Sequence, residues 1–256
     1  MLELAIRAAR EAGQVLLERY GRPHEINVKG FRDISTEADL AAEETVFRVI
    51  REGCPGAEFV GEESSDGEYP DYGDAPTWYV DPLDGTTNFA HGMPTFSVSI
   101  AMARNGEVQC GVVYDPLLNH MFHTARGEGA FLNGRRLHVS DCDDLGDAVV
   151  MLDWPREQTL REQSARYLAR LAARVDTVRS QGSAALGFCY VAAGWADAYF
   201  QYTLCPWDAA AGLLLVQEAG GRVTGLRGQP FTLHQPDWLA TNGLIHEAML
   251  AIGPHR

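Results

Sequence analysis

Apolar residues recur at helical spacing in two stretches near the start of the chain. In the first, Leu2, Ile6 and Leu16 share one stripe, and the second has Leu40 and Val46 among its apolar positions. A period of three to four residues is typical of an amphipathic helix with one buried face. The sequence therefore predicts helices over residues 2–20 and 36–50.

The middle of the chain has the alternation that is typical of β-strands. Strands are predicted over residues 77–80, 96–104, 108–114 and 120–124. Asn105-Gly106 and Asn133-Gly134 are strong hairpin turns, because both positions of a tight hairpin turn favour residues that tolerate positive φ. This region is therefore predicted to be antiparallel.

After about residue 145, predicted helices and strands alternate. Strands are predicted over 149–152, 175–178 and 196–201, and helices over 157–173, 183–193 and 208–219, the last ended by Gly220-Gly221. The first part is therefore α+β (about 1–144) and the second α/β (about 145–256). We expect one domain over residues 1–256 that is built as a layered αβαβα sandwich.

The composition is that of a soluble globular protein with an acidic surface. The net charge is −14, from 35 acidic and 21 basic residues, which argues against direct binding to nucleic acid or to an anionic membrane. The five cysteines form no CxxC pair, and no apolar run is long enough to cross a membrane. Charged residues interrupt the first twenty positions, unlike a signal peptide. We expect a cytoplasmic protein.

One short acidic turn suggests chemistry. Asp81 and Asp84 flank Pro82 and Leu83 at the end of a predicted strand, and a Gly-Thr-Thr-Asn sequence follows. The two carboxylates and the Leu83 carbonyl offer the hard oxygen ligands that Mg²⁺ or Mn²⁺ prefers. The start of a helix at Gly85 would present backbone N–H groups to an anion. Taken alone, an Asp-Pro β-turn followed by a capped helix explains these residues equally well.

Two further acidic segments favour the metal-site interpretation of this turn over the simple β-turn. Glu62 and Glu63 follow the apolar pair Phe59-Val60, and Asp208 lies at the predicted start of a helix. A solvated loop would explain the glutamates, and helix capping would explain Asp208. Three acidic groups that each follow an apolar stretch favour a site with several metal ions over three separate coincidences.

With these residues the chain resembles the inositol monophosphatase family, the Mg²⁺-dependent and lithium-sensitive phosphatases. The resemblance covers nearly the whole chain. It rests on KGFRDISTEAD (29–39), GEES (61–64), DPLDGTTNF (81–89), GVVYDP (111–116), GSAA (182–185), WDAAAG (207–212) and EAGG (218–221), in the family's order. The family implies hydrolysis of phosphate monoesters by direct attack of metal-activated water, since no serine or cysteine lies in a nucleophile context.

The resemblance also implies a role for each matching residue. It implies two or three Mg²⁺ ions, with Mn²⁺ as a possible substitute, and metal ligands at Glu62, Asp81, the Leu83 carbonyl, Asp84 and Asp208. Glu62, Thr86 and Asp39 are implied to orient and deprotonate the attacking water. Substrate contacts are implied at Gly85, Thr86, Ser183, Ala184, Gln201 and Asp208. Lys29, the only lysine, and Glu63 are implied to support the metals.

One departure concerns the substrate. Members that hydrolyse inositol phosphates commonly carry an acidic side chain where this chain has Gln201, and a neutral amide is the weaker acceptor for hydroxyl groups. Inositol monophosphate or a related small sugar phosphate is the expected substrate. Fructose-1,6-bisphosphatase, histidinol-phosphatase and nucleotide 3′-phosphatase activities stay open as alternatives. The family further implies a homodimer, and a regulatory role in binding a protein partner is the non-enzymatic alternative.

Overall fold

The computed structural model describes residues 1–65, 69–70 and 73–253. Two long helices, α1 (Leu2–Arg19) and α2 (Glu37–Gly53), form the first layer. Their buried side chains include Ile6, Leu16 and Val46, as the periodicity predicts. Leu40 is different, because it is 57% exposed and lies on the outer face of α2, whereas Ala38 and Ala42 complete the buried face.

The second layer is a sheet of seven strands in the order β3-β4-β5-β6-β7-β8-β9. The strands are β3 (Glu58–Gly61), β4 (Thr77–Asp84), β5 (Ser97–Arg104), β6 (Glu107–Asp115), β7 (His120–Ala125), β8 (Gly129–Leu132) and β9 (Arg135–Arg136). Among the described strands of this sheet, β3 and β4 pair in parallel and the other pairs are antiparallel. Both faces of β4 are buried, since Trp78 packs in the core with α1 and α2 while Tyr79 packs on the opposite side.

The third layer consists of α5 (Ala184–Ala192) and α6 (Pro206–Glu218). Between their ends, both helices carry apolar residues on every side, because they lie between two sheets. Their core includes Phe188 and Leu214, and it also includes Val113 of the seven-stranded sheet and Tyr199 of the second sheet. The contacts of this central layer thus join residues from both parts of the sequence.

The second sheet has the strand order β11-β10-β12-β14-β13. Its strands are β10 (Val149–Leu152), β11 (Thr177–Arg179), β12 (Ala198–Gln201), β13 (Arg222–Thr224) and β14 (Trp238–Thr241). The outer layer is formed by α4 (Gln158–Leu171) and α7 (His246–Ile252), whose Tyr167 and Met249 pack on Val150 and Phe200. The predicted αβαβα sandwich is confirmed.

The remaining elements border the site described below. A hairpin of β1 (Ile26–Gly30) and β2 (Asp33–Thr36) precedes α2, and the short helix α3 (Thr86–Ala90) follows β4. Some sequence-based boundaries move, since α6 begins at Pro206 rather than Asp208 and β11 begins at Thr177 rather than at residue 175. Among the described residues, no helix is long and apolar enough to cross a membrane.

Candidate active site

A cavity of about 740 Å³ opens where β4, β10 and β12 end and where α3, α5 and α6 begin. Nine of the residues expected from the sequence line it: Glu62, Asp81, Leu83, Asp84, Gly85, Thr86, Ala184, Gln201 and Asp208. The other four are not among the lining residues. Asp39 and Ser183 are buried and bonded to residues of the wall, and Lys29 reaches Glu62 and Glu63 from the β1–β2 hairpin.

The acidic turn is a break in the pairing of β4 with β5. Asp81 lies opposite Ser99 and Asp84 opposite Ser97, so the β4 strand has one residue more than its partner between these two pairs. Pro82 has no backbone N–H, so the break leaves no donor of this residue without a partner. The Asp81 carboxylate accepts a hydrogen bond from the Leu83 N–H at 3.0 Å. Both carboxylates therefore leave the strand within one short, stiff segment.

Gly85 ends this segment in the left-handed conformation, with φ of 97°. A Cβ atom at this position would lie 3.0 Å from the Thr95 carbonyl oxygen and 3.1 Å from that of Gly182. Only glycine combines this φ with so close an approach. The turn into α3 is thereby fixed, and Gly85 and Thr86 at the start of that helix line the cavity.

Asp84 is held by the start of α5. Its carboxylate accepts bonds from the Ser183 hydroxyl at 2.5 Å and from the Ala184 and Ala185 N–H groups at 3.1 and 2.9 Å. Ser183 also caps α5 by accepting the Leu186 N–H. The predicted GSAA segment therefore contacts the acidic turn directly.

Asp208 and Glu62 reach the cavity from two other elements. Asp208 is the third residue of α6, and one of its oxygens accepts the Cys205 N–H at 2.7 Å. Glu62 directly follows β3, which pairs in parallel with β4, so both strands end on the same side of the sheet. The distant acidic residues singled out in the sequence thus meet in one place.

The carboxylates influence one another strongly. Burial raises the pKa of Asp81 far above its ordinary value, and Glu62, Asp84 and Asp208 add repulsion. Burial, Glu62 and Asp84 raise the pKa of Asp208 to about 8, and burial raises that of Asp84 to about 6. Because these shifts record an excess of negative charge in a buried space, the donor set suits a divalent cation.

The nearby cations do not offset this charge fully. Lys29 Nζ lies 2.5 Å from Glu63 and 3.9 Å from Glu62. Arg156 Nη2 lies 3.6 Å from Glu62, and its Nη1 lies 3.0 Å from Asp33.

In the described part of the chain, no group of three or more His, Cys, Asp and Glu side chains has the geometry of a metal site as it stands.

Asp39 and Thr86 form a separate pair beside this cluster. The Thr86 hydroxyl lies 3.0 Å from Asp39 Oδ1 and 3.0 Å from the Leu83 carbonyl oxygen. Asp39 Oδ2 accepts bonds from the Thr36 N–H and hydroxyl at 2.8 and 2.6 Å, which closes a capping box at the start of α2. Burial raises the pKa of Asp39 to about 6. The helix cap therefore aligns a carboxylate with the Thr86 hydroxyl.

Two residues of the cavity wall, Asp153 and Arg156, were not found from the sequence. Asp153 directly follows β10 and accepts bonds from the Gly182 and Gln181 N–H groups at 2.6 and 3.1 Å. It was detectable, because an acidic residue after an apolar strand is the signal that singled out Asp81.

Gln201 lies on β12, which pairs with β10, and its side-chain oxygen accepts a hydrogen bond from the N–H of Tyr202.

The chain is similar to known proteins over most of its length. Residues 1–253 match the model of the inositol monophosphatase family. A Pasteurella multocida protein named "Nus factor SuhB" is 44% identical over 89% of this chain and 86% of its own length. A Thermotoga maritima protein named "Fructose-1,6-bisphosphatase/inositol-1-monophosphatase" is 37% identical over 98% of this chain and 94% of its own length.

Solved structures give the same result. A Thermotoga maritima IMPase superposes with a TM-score of 0.90 at 36% identity, covering 98% of this chain and 95% of that one. The Bartonella henselae extragenic suppressor protein suhB superposes with a TM-score of 0.91 at 35% identity, covering 98% and 96%. The chain therefore belongs to the inositol monophosphatase family.

Proposed function

We propose that this protein hydrolyses inositol monophosphate or a related small sugar phosphate with the help of Mg²⁺. Membership of the family makes it a phosphoric monoester hydrolase. The observation that carries the finer proposal is the meeting of Glu62, Asp81, Asp84 and Asp208 in one cavity beside the glycine turn. Four acidic groups in so small a space are costly unless cations neutralise them.

The metal-binding residues follow from the donor set. We assign Glu62, Asp81 and the Leu83 carbonyl to one ion, and Asp81, Asp84 and Asp208 to a second. A third ion would be held by Glu62 through water. Bound divalent cations would lower the pKa of water and neutralise charge on the phosphate. Glu63 and Lys29 form an ion pair at 2.5 Å, which we assign to the support of Glu62.

The protein's own groups would position the phosphate and the water. We assign the backbone N–H groups of Gly85 and Thr86, at the first turn of α3, to the phosphate oxygens. Thr86 and Asp39, 3.0 Å apart, would orient the attacking water together with Glu62 and accept its proton. Asp39 suits this role because burial keeps its pKa near 6, close to neutral pH.

Substrate contacts would come from residues near the ends of β12, α5 and α6. Ala184 and Gln201 line it, while Ser183 fixes Asp84 from behind. We assign Gln201 and Asp208 to substrate hydroxyl groups. Fructose 1,6-bisphosphate, histidinol phosphate and a nucleotide 3′-phosphate remain alternative substrates, and the name of the Thermotoga maritima relative favours testing the first of these.

The decisive experiment measures phosphate release from a panel of these substrates with and without a chelator. We expect activity only when a divalent cation is supplied, with Mg²⁺ giving more activity than Mn²⁺, and we expect inhibition by lithium. Asp84→Asn should lower turnover by about 10² or more, because the second metal ion loses a negatively charged ligand. Asp115→Asn is the matched control, since Asp115 is also buried but accepts hydrogen bonds from the Leu117 and Leu118 N–H groups outside the cavity. Full activity after thorough chelation would refute the metal mechanism.

A regulatory role is the second candidate, and the names of relatives favour it. The Pasteurella multocida relative and an Escherichia coli relative, 40% identical over 98% of this chain and 94% of its own length, are both named "Nus factor SuhB". If this chain has a role apart from catalysis, a folded Asp84→Asn protein should restore growth to a strain that lacks the gene. Failure of that folded variant would tie the cellular role to phosphatase activity. Size-exclusion chromatography with light scattering would test the expected homodimer.

A further inference from the structure

One carboxylate of the cavity wall has no part in the proposed metal site. Asp153 directly follows β10, lines the cavity and is 8% exposed. Burial and the negative charge of Asp153 both raise the pKa of Asp84. A further buried charge is costly in a cavity where four other carboxylates already meet, so its place in this wall requires an explanation.

The two oxygens of Asp153 are used differently. Oδ1 accepts three hydrogen bonds from the segment before α5, from the Gly182 N–H at 2.6 Å, the Gln181 N–H at 3.1 Å and the Ser180 hydroxyl at 3.2 Å. Within the described residues, Oδ2 accepts one bond, from the Tyr199 hydroxyl at 3.3 Å. Since a carboxylate oxygen can accept two bonds, Oδ2 retains capacity for a ligand.

Gln201 lies beside Asp153 on the neighbouring strand. The strands β10 and β12 pair in parallel, with Leu152 opposite Phe200. Asp153 and Gln201 are the next residues of the two chains, so they are neighbours across the strand pair. Both line the cavity, and both are buried.

The amide of Gln201 has a defined orientation. Its Oε1 accepts the Tyr202 N–H at 2.8 Å, and only the oxygen of an amide can accept such a bond. Among the residues that the structure describes, none accepts a bond from the NH₂ group of Gln201. The pair therefore offers an acceptor on Asp153 and a donor on Gln201.

A structural role explains half of this arrangement. The bonds to Oδ1 attach residues 180–182 to the end of β10, next to the bonds by which Asp84 holds Ser183 and Ala184. They also fix the rotamer of Asp153, so that Oδ2 keeps a defined direction. They do not use Oδ2, and they do not account for an amide donor on the next strand.

We infer that Asp153 and Gln201 together bind one hydroxyl group of the substrate, which donates to Asp153 Oδ2 and accepts from the Gln201 NH₂ group. This inference rests on the proposed function, in which the phosphate to be cleaved binds at Gly85 and Thr86. A hydroxyl group can donate and accept at once, whereas an ammonium group can only donate. The pair thus selects phosphate esters whose alcohol part carries a further hydroxyl group, and Asp153 is a specificity-determining residue.

The test exchanges the two functional groups between the strands. Asp153→Asn should raise KM for inositol 1-phosphate about tenfold, because the bond to Gly182 is weakened and a charged acceptor for the hydroxyl group is lost. Adding Gln201→Glu supplies a carboxylate on the neighbouring strand, which can still accept the Tyr202 N–H. The double variant should therefore regain about threefold or more of the lost KM.

A second substrate separates hydroxyl binding from support of the backbone. The ester p-nitrophenyl phosphate has no further hydroxyl group, so its KM should not recover when Gln201→Glu is added to Asp153→Asn. Absence of recovery for inositol 1-phosphate, or equal recovery for both substrates, would overturn the inference. Asp115→Asn is the matched control and should leave both KM values unchanged, since Asp115 is buried outside the cavity.

A further variant serves if Asp153→Asn does not fold. Gln201→Met removes the donor without touching the bonds of Asp153, so KM for inositol 1-phosphate should rise about fivefold while that for p-nitrophenyl phosphate stays unchanged. Equal changes for both substrates would count against the pair.

The wild-type protein distinguishes failure of the inference from failure of the proposed function. Hydrolysis of p-nitrophenyl phosphate alone would overturn the inference, because the preference would then not depend on a hydroxyl group. Hydrolysis of neither substrate would refute the proposed function. Calorimetric binding of inositol 1-phosphate then decides the inference, since no binding, or equal affinity in wild type and Asp153→Asn, would refute it.

Discussion

The strongest test of the acidic cluster is the stability of the metal-free protein as the pH falls from 8 to 6. Burial, Glu62 and Asp84 raise the pKa of Asp208 to about 8 in the folded protein, whereas an unfolded aspartate titrates near 4. Across this range the folded state therefore binds a proton that the unfolded state does not. Stability must then rise as the pH falls, the opposite of ordinary acid denaturation.

The size of the effect follows from the same values. For one group with a folded pKa of about 8, moving from pH 8 to pH 6 adds at most about 2 kcal/mol to the free energy of unfolding. Asp84, with a pKa of about 6, contributes the same sign toward the lower end of the range. Because neighbouring carboxylates titrate as a unit, the cluster and not a single residue sets the observed curve.

Urea unfolding curves of chelator-treated protein at several pH values would measure this. Asp208→Asn should flatten the curve, while Asp176→Asn, which changes an exposed residue of the loop between α4 and β11, should leave it unchanged. Mg²⁺ at about 100 times its dissociation constant should add about 3 kcal/mol to the wild type, chiefly at pH 8. Stability of the metal-free protein that stays flat or falls from pH 8 to 6 would refute the reasoning.

Three further predictions concern the surroundings of the cluster. Asp153→Asn should raise KM for a sugar phosphate about tenfold with a smaller change in kcat, because Asp153 fixes the Gly182 N–H at 2.6 Å; an unchanged KM in a protein of normal melting temperature would contradict this. Burial lowers the pKa of His246 to about 4, so wild type should lose up to about 2 kcal/mol relative to His246→Asn between pH 7 and pH 5; a constant difference in urea unfolding would refute it. Gln201→Glu should raise the preference for inositol 1-phosphate over other sugar phosphates in kcat/KM, and an unchanged ratio would show that selectivity lies elsewhere.

The sequence predicted the long helices and the hairpins because their periodicity is strong. It missed the β1–β2 hairpin, in which every residue of β1 is exposed and no alternation marks a buried face. It also missed β14, since Trp238–Thr241 is buried on both faces and too short to show a period. The helix α7 has only seven residues and was missed for the same reason. Short elements depend on tertiary contacts that local patterns do not record.

Candidate site residues that belong to a sequence motif were predicted. Those that only the pairing of distant strands brings to the cavity were missed. Asp153 lies beside the end of β12 because β10 and β12 pair in parallel, with Leu152 opposite Phe200. Strand order and register cannot be derived from one sequence. The bond from Arg32 in the β1–β2 hairpin to Gln158 at the start of α4 likewise joins residues that are 126 positions apart.

The structure also shows that helix capping does not exclude the roles proposed for the acidic residues. Asp39 caps α2 with one oxygen and approaches Thr86 with the other. Asp208 likewise uses one oxygen for the Cys205 N–H at the start of α6. In both cases the backbone bond fixes the side-chain rotamer, so the second oxygen is held in a defined direction. A carboxylate that caps a helix at the edge of a cavity is therefore better suited to bind a ligand than a freely rotating one, because the cost of ordering it has already been met during folding.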